Sequence, residues 1–485
     1  MERKLRVLMV ASEGVPFAKT GGLADVVGAL PGALGKLGVD VKVLLPYYSM
    51  VRQGKVPTAP VAENLTISLG PLTLSFDVMA SSSEGLPFYF VKRDEFYDRS
   101  QLYGTPKGDY FDNLERFAFF SAAVLPFCQA LDFHPDIIHC HDWQSALVPV
   151  CLKCRWWGEP ALAGAKTLLT IHNLAYQGLF PKEAFPRLGL DRSLFSINGL
   201  EYYDQINLLK GGIVFADAIN TVSPSYGQEI QTEEFGCGLD GVLRDRAAVL
   251  SGIINGVDYR DWNPETDALI PATYSKSDFK GKAKNKAALM EAFGLNEDLA
   301  QAPLLGIISR LADQKGFDLV EAVLPQLMAR NLTLVILGTG DEKYHRLLTA
   351  MAAKYPGRLG VKIAFDNSLA HLIEAGADMF LMPSRFEPCG LNQLYSLKYG
   401  TIPIVRATGG LADTVTQVGQ TKGAGTGFLF EEYSPEAFLK AIYTALAAFE
   451  DKRLWKLIMQ NAMSQDFSWS KSAQDYLNLY QSLLA

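Results

Sequence analysis

The string Lys19-Thr20-Gly21-Gly22-Leu23-Ala24-Asp25-Val26-Val27 nearly recurs toward the other end of the chain as Ala407-Thr408-Gly409-Gly410-Leu411-Ala412-Asp413-Thr414-Val415. Two glycine turns of one pattern, one in each half, constrain the chain to two similarly built halves. A paired glycine lets backbone approach a ligand closely, and a helix that starts just after it points unpaired amides and a positive dipole end at any anion there. The first copy opens on lysine and the second on alanine, so only the first turn presents a cation. Taken alone, either string also suits an ordinary strand-to-helix turn; the residues around each must separate the two readings.

At 485 residues and 48% hydrophobic content, the chain exceeds what one core usually supports and has ample apolar material for two. Residues 5–11 form a short apolar run, a helix-like segment follows the glycine turn to about Leu37, and residues 41–45 are apolar again. This is the strand, helix, strand grammar of a parallel sheet. Further strands are expected at 87–91, 137–140, 168–171 and 218–222, and in the second half at 304–309, 332–337, 361–365, 379–382 and 402–405. Such alternation predicts an α/β chain of two doubly wound, Rossmann-like domains with helices on both sheet faces. The turn-rich stretch 255–265 is the expected linker and hinge. The expected division is therefore 1–255, 256–468, and a terminal helix over 469–485 that crosses back to the first domain. Residues 181–210 read as an inserted helical segment.

The net charge of −7 and a pI near 5.5 exclude a general nucleic-acid binder, so an anionic ligand must be met by local positive charge. No apolar run approaches the ~18 residues of a membrane span. Six cysteines without a regular framework, and no signal peptide, predict reduced thiols in the cytoplasm. Cys151 and Cys154 have no second CxxC to complete a zinc site.

In open α/β sheets ligands bind beyond the carboxyl ends of the strands. The chemistry-bearing residues fall there: Lys19 with Gly21 and Gly22 after the first strand, Asp142 after 137–140, and His172 with Asn173 after 168–171. In the second half these are Arg310 and Lys315 after 304–309, and Glu387 with Cys389, Gly390 and Leu391 after 379–382. Arg310 and Lys315, five residues apart in a turn, can converge on a diphosphate, the guanidinium as a planar fork and the ammonium as a compact charge. Glu387 precedes a helix start; it can accept from sugar hydroxyls or simply cap helix donors. His139 and His141 share a strand face, but no further ligand cluster completes a metal shell, and orientation of a polar cleft wall is the better expectation.

Together, KTGGLADVVGALP at 19–31, HDW at 141–143, TIHNLAYQG at 170–178, EYYDQINLLKGG at 201–212, TVSPSY at 221–226, INGVD at 254–258, QKG at 314–316, PSRFEPCGL at 383–391 and TGGLADTV at 408–415 resemble, in order, the bacterial glycogen synthase and plant starch synthase family. These are retaining glucosyltransferases of the GT-B type that use ADP-glucose. The resemblance implies two Rossmann-like domains facing across a deep cleft, with glucose passed to an α-1,4-glucan or glycogen acceptor. It implies that Arg310 and Lys315 hold the diphosphate, with Lys19, Gly21 and Gly22 against the diphosphate and sugar. His172 would sit beside the anomeric carbon, its carbonyl stabilising positive charge. Asp142, Asn173 and Asn255 would line the sugar pocket. Glu387 would bond the transferred glucose, and Cys389, Gly390 and Leu391 would place amides on its hydroxyls and phosphate. Glu13, Asp25 and Tyr97 match positions that shape the acceptor or donor side of the cleft.

No cofactor or metal is expected if Arg310 and Lys315 neutralise the leaving group. Alternatives within this resemblance are a starch synthase, a UDP-glucose-using homologue, or a non-catalytic glucan-binding protein; a pyridoxal-phosphate phosphorylase lacks any motif here. The sequence departs from related patterns at Tyr395, where wider retaining GT-B enzymes carry a second glutamate, at Asn392, where threonine is usual, and at Ala312. The residues assign no oligomeric state.

Overall fold

The computed structural model describes residues 3–54, 56–83, 85–105, 107–419 and 425–485. The chain forms two compact units, Met1–Gly256 with Trp469–Ala485, and Val257–Ser468.

The first unit is built on a nine-stranded sheet. Its strands are β1 (Arg6–Val10), β2 (Asp40–Pro46), β3 (Ala59–Leu69), β4 (Leu72–Ser83), β5 (Leu86–Lys92), β6 (Ile137–His141), β7 (Lys166–Ile171), β8 (Ala218–Thr221) and β9 (Leu250–Gly252). They lie in the order β9-β8-β7-β6-β1-β2-β5-β4-β3. The near-continuous burial of β1, β6 and β7 is what a parallel strand covered on both faces requires. β3 and β4 differ: they run antiparallel, β4 pairing with β5, so the sheet is mixed where the sequence predicted a parallel one. Most of β3 is exposed or half-buried, with only Ile67 and Leu69 buried, so it carries no apolar run to betray it.

Helix α1 (Gly22–Lys36) buries Leu23, Val26, Val27, Leu30 and Leu34, the spacing of one helical face. The terminal helix, Trp469–Leu484, buries Trp469, Ala473, Tyr476 and Tyr480 in the core of this unit, beside α1. Residues 181–210, expected to be helical, instead hold two 3₁₀ turns, Lys182–Leu188 and Arg192–Leu194. They also contribute to a three-stranded antiparallel sheet formed by Leu179–Pro181, Glu201–Tyr202 and Gln205–Asn207; an α-helix begins only at Leu208. Pro186 and the left-handed Gly189 are the local reasons a longer helix does not form.

The second unit has a six-stranded, wholly parallel sheet of β10 (Leu304–Ile308), β11 (Thr333–Gly338), β12 (Leu359–Ile363), β13 (Met379–Met382), β14 (Ile402–Arg406) and β15 (Phe428–Phe430). Its order is β12-β11-β10-β13-β14-β15. Both units thus fold as predicted into Rossmann-like layers, and in each the strand order reverses beside its first strand, between β1 and β6 and between β10 and β13. That is where such sheets open a crevice at their carboxyl ends. Among the described residues no helix is long and apolar enough to cross a membrane.

Candidate active site

In the first unit the loops after β1, β6 and β7 meet at the switch point. Glu13, 4% exposed, organises the glycine turn: its carboxylate accepts from the Thr20 amide and hydroxyl, from the Gly21 amide at 3.2 Å and from the Tyr103 hydroxyl at 2.6 Å. Gly21 and Gly22 are exposed, and a Cβ built on Gly21 would meet nothing within 4 Å. Lys19 pairs with Asp25 at 2.6 Å, both partly exposed, so the lysine's charge is held beside the turn by a carboxylate of the first helical turn.

Asp142 follows β6 with φ of 54°, a left-handed backbone that aspartate tolerates better than most residues. Its carboxylate accepts from the His172 amide at 2.7 Å and also from the Asn173 amide. Burial pushes this carboxyl up to about 7, against the lowering effect of those two amides. His172 lies against His141, Nε2 to Nδ1 at 3.0 Å, and burial pushes its imidazole down to about 3. Asn255, after β9, is 4% exposed and its Oδ1 has no hydrogen-bond partner; the same holds for the buried His141 Nε2 and Gln144 Oε1.

One sequence expectation fails here. Tyr97, expected on the cleft, is fully buried: its hydroxyl donates to the Arg116 carbonyl at 2.8 Å, and its ring meets Tyr48 and Phe96. His139 and His141 are fully buried, and His141 lies behind the half-buried His172. Among the described residues no group of three His, Cys, Asp or Glu side chains is placed to hold a metal.

In the second unit the loops after β10 and β13 are laced together. The Arg385 amide donates to the Gln314 carbonyl at 2.8 Å and Gln314 Nε2 to the Phe386 carbonyl at 3.1 Å. Gly316, at φ of 73°, sits so close that a Cβ would lie 2.0 Å from the Pro383 carbonyl oxygen. The lacing brings Lys315 Nζ to 2.5 Å from Glu387 Oε2, which also accepts from Ser384 at 3.0 Å. Glu387 and Cys389 are buried, Gly390 has φ of 74°, and Leu391 caps α2 (Asn392–Tyr399). Arg310 stands exposed two residues beyond β10.

Two of the departures have structural occupations. Asn392 Nδ2 bonds the Ile308 carbonyl, tying the start of α2 to the end of β10. The Tyr395 ring stacks on Trp262 at 3.9 Å, which stacks in turn on His371 at 3.8 Å.

The second glycine pair has a different task from the first. Gly409 and Gly410 are buried, and a Cβ on either would come within 2.1 Å of the carbonyl oxygen of Glu387 or Cys389 respectively. They let backbone seat on backbone beneath the 387–391 loop. One residue escaped the sequence reasoning. Phe365, 84% exposed, follows β12 at the carboxyl edge, where the neighbouring Ala364 amide bonds Gly338 at 3.0 Å. The run 361–365 reads as strand through its final aromatic residue, but the strand stops at Ile363.

Residues 6–245 match the model of the starch synthase catalytic domain, and residues 293–456 that of the glycosyl transferases group 1. The chain is 49% identical over 485 residues to a glycogen synthase of Koribacter versatilis, with 98% of each chain covered. It is 48% identical over 481 residues to one of Geotalea daltonii, with 99% of each covered. The catalytic domain of starch synthase IV from Arabidopsis thaliana, solved bound to ADP and acarbose, matches with a TM-score of 0.92 at 33% identity, over 99% of this chain and 100% of that one. A sucrose-phosphate synthase from Thermosynechococcus elongatus shares the fold, with a TM-score of 0.60 at 17% identity and 99% of each chain covered.

Proposed function

The chain belongs to the glycogen and starch synthase family of GT-B glycosyltransferases, and on that premise we propose that it moves glucose, with retention, from ADP-glucose to the non-reducing 4-hydroxyl of an α-1,4-glucan. Breaking the bond between sugar and phosphate leaves a diphosphate gaining negative charge and an anomeric centre gaining positive charge. Preorganised cations on the first and a carbonyl beside the second stabilise that transition state. Arg310 and Lys315 take the diphosphate, with Lys19 and the open turn at Gly21 and Gly22 assisting. Glu387 and the amides from Cys389 to Leu391 take sugar hydroxyls. The His172 carbonyl serves the anomeric carbon, and Asp142, Asn173 and Asn255 line the sugar. Phe365 offers an exposed ring for the base to stack on.

The observation that carries this reading is the Lys315–Glu387 pair, held by laced loops at the switch point of the second sheet. It sets a phosphate-seeking cation beside a hydroxyl-seeking carboxylate. The Arabidopsis relative's ADP supports adenine in the donor. Asp142 has its carboxylate oxygens engaged by the His172 and Asn173 amides, which ties it to its own loop as an acceptor instead of freeing it as a nucleophile. Retention then proceeds by attack on the face that the leaving group departs from, its phosphate oxygen taking the acceptor's proton. No metal or other cofactor is assigned a part.

Purified protein given ADP-glucose and a malto-oligosaccharide should release ADP and lengthen the primer without added phosphate. Absence of ADP release, or dependence on phosphate, would overturn the transferase reading. Equal turnover of UDP-glucose would overturn the donor assignment.

A further inference from the structure

We propose that His141 is a positioning residue that sets the tautomer of His172, so that His172 meets the sugar through a protonated Nδ1 as a hydrogen-bond donor and takes up no proton during turnover. This rests on the reading of His172 as a sugar-facing group.

The wiring can be followed from a backbone carbonyl inward. Asn220 Nδ2 donates to the Thr221 carbonyl at 3.1 Å, which fixes the amide's orientation and leaves its Oδ1 toward the Thr170 hydroxyl. Thr170 donates its one proton to that oxygen. It must therefore accept from its other partner, His139 Nε2, and His139 carries its proton there. His139 Nδ1 is then a lone pair, and the Tyr480 hydroxyl of the terminal helix donates to it at 2.8 Å. His139 is neutral and fully committed.

Its ring lies 4.1 Å from that of His141, whose Nδ1 faces His172 Nε2 at 3.0 Å. One of those two nitrogens carries a proton. His141 Nε2 decides which, because it is buried and has no partner. A buried N–H without an acceptor is rarer and costlier than an unused lone pair. The His141 proton is thus placed on Nδ1 and donated to His172. His172 Nε2 becomes the acceptor, and its own proton moves to Nδ1. Charging the column instead is disfavoured, since burial pushes both His139 and His172 down to about 3. A neutral Nδ1–H suits a sugar hydroxyl or ring oxygen and cannot serve as a base.

The test is a long-range ¹H–¹⁵N correlation spectrum of the full chain, labelled at its six histidines, at pH 7. His172 should show the protonated-Nδ1, bare-Nε2 pattern. In His141→Phe, which removes the donor, His172 should lose that pattern and kcat with ADP-glucose should fall about tenfold or more, as when the partner that fixes an active-site histidine's tautomer is lost. In His141→Asn, which keeps an N–H near the Nδ1 position, the pattern should return and most of the rate with it. A wild-type His172 protonated at Nε2, or cationic, overturns the proposal, as does a His141→Phe spectrum unchanged at His172 or equal losses in both variants. If His141→Phe does not fold, the wild-type spectrum decides by itself. It needs no turnover, so its outcome is separate from that of the transferase assay.

Discussion

Alanine at Gly410 and alanine at Gly21 each change one glycine of the repeated pair, yet they should fail in opposite ways. At Gly410 the new Cβ would sit 2.1 Å from the Cys389 carbonyl oxygen and 2.5 Å from its Cα, both backbone atoms that no side-chain rotation can clear. Overpacking costs ~1–3 kcal/mol where neighbours adjust, and here the upper end applies because the whole 387–391 loop must shift. For a unit of about 200 residues, at roughly 2–4 °C per kcal/mol, ~3 kcal/mol lowers the melting temperature by ~6–12 °C. At Gly21 the Cβ meets nothing within 4 Å. Loss of a glycine N-cap to alanine costs ~1 kcal/mol, offset by ~0.4–1 kcal/mol from a less flexible unfolded chain. Stability should hardly move, but the methyl projects beside the turn assigned to the diphosphate and should cut kcat/KM for ADP-glucose at least ~10-fold, ~1.4 kcal/mol of lost transition-state binding. Scanning calorimetry with steady-state ADP release reads both effects. A Gly410→Ala protein melting within ~2 °C of the parent, or a fully active Gly21→Ala protein, would refute the division of labour between the two turns.

Arg310→Ala and Lys315→Ala should each lower turnover by at least ~100-fold, the scale for removing one group that stabilises transition-state charge; near-normal initial rates in either would show the diphosphate is held elsewhere. Phe365→Ala should raise KM for ADP-glucose about tenfold with kcat held, since base stacking on an aromatic ring is worth ~1–3 kcal/mol; an unchanged KM in the same ADP-release assay removes the ring from the donor. Asp142, pushed up from 3.8 to about 7, keeps a proton in the folded state that the unfolded chain gives up, so its contribution to stability declines as pH rises across that window. Asp142→Asn should therefore flatten the pH dependence and gain on the parent between pH 5 and pH 8 in calorimetry, while losing activity.

The parallel strands were legible because a strand buried on both faces is mostly apolar, as β10, β11 and β13 are. β3 was illegible because an edge strand faces water along most of its length. The candidate cations were legible from their place just after strands. Tyr97 was misplaced because a tyrosine whose hydroxyl finds a carbonyl in the core reads, in one dimension, like one that faces a ligand. The two glycine pairs looked alike because what distinguishes them is distant in the chain. The Cys389 carbonyl lies against Gly410, while open space lies beside Gly21. His139 looked like part of a cleft for the same reason, its decisive partner being Tyr480.

Because the first unit includes Trp469–Ala485, it cannot finish assembling as the ribosome delivers it. Tyr476 and Tyr480, which fill its interior, are translated after the whole second unit, and at ~5–20 residues per second those intervening residues alone take on the order of 10–40 s. Through that interval the nascent first unit has a groove where its last helix belongs. A premature stop near the 3′ end of the message would therefore harm the earliest-made part of the protein.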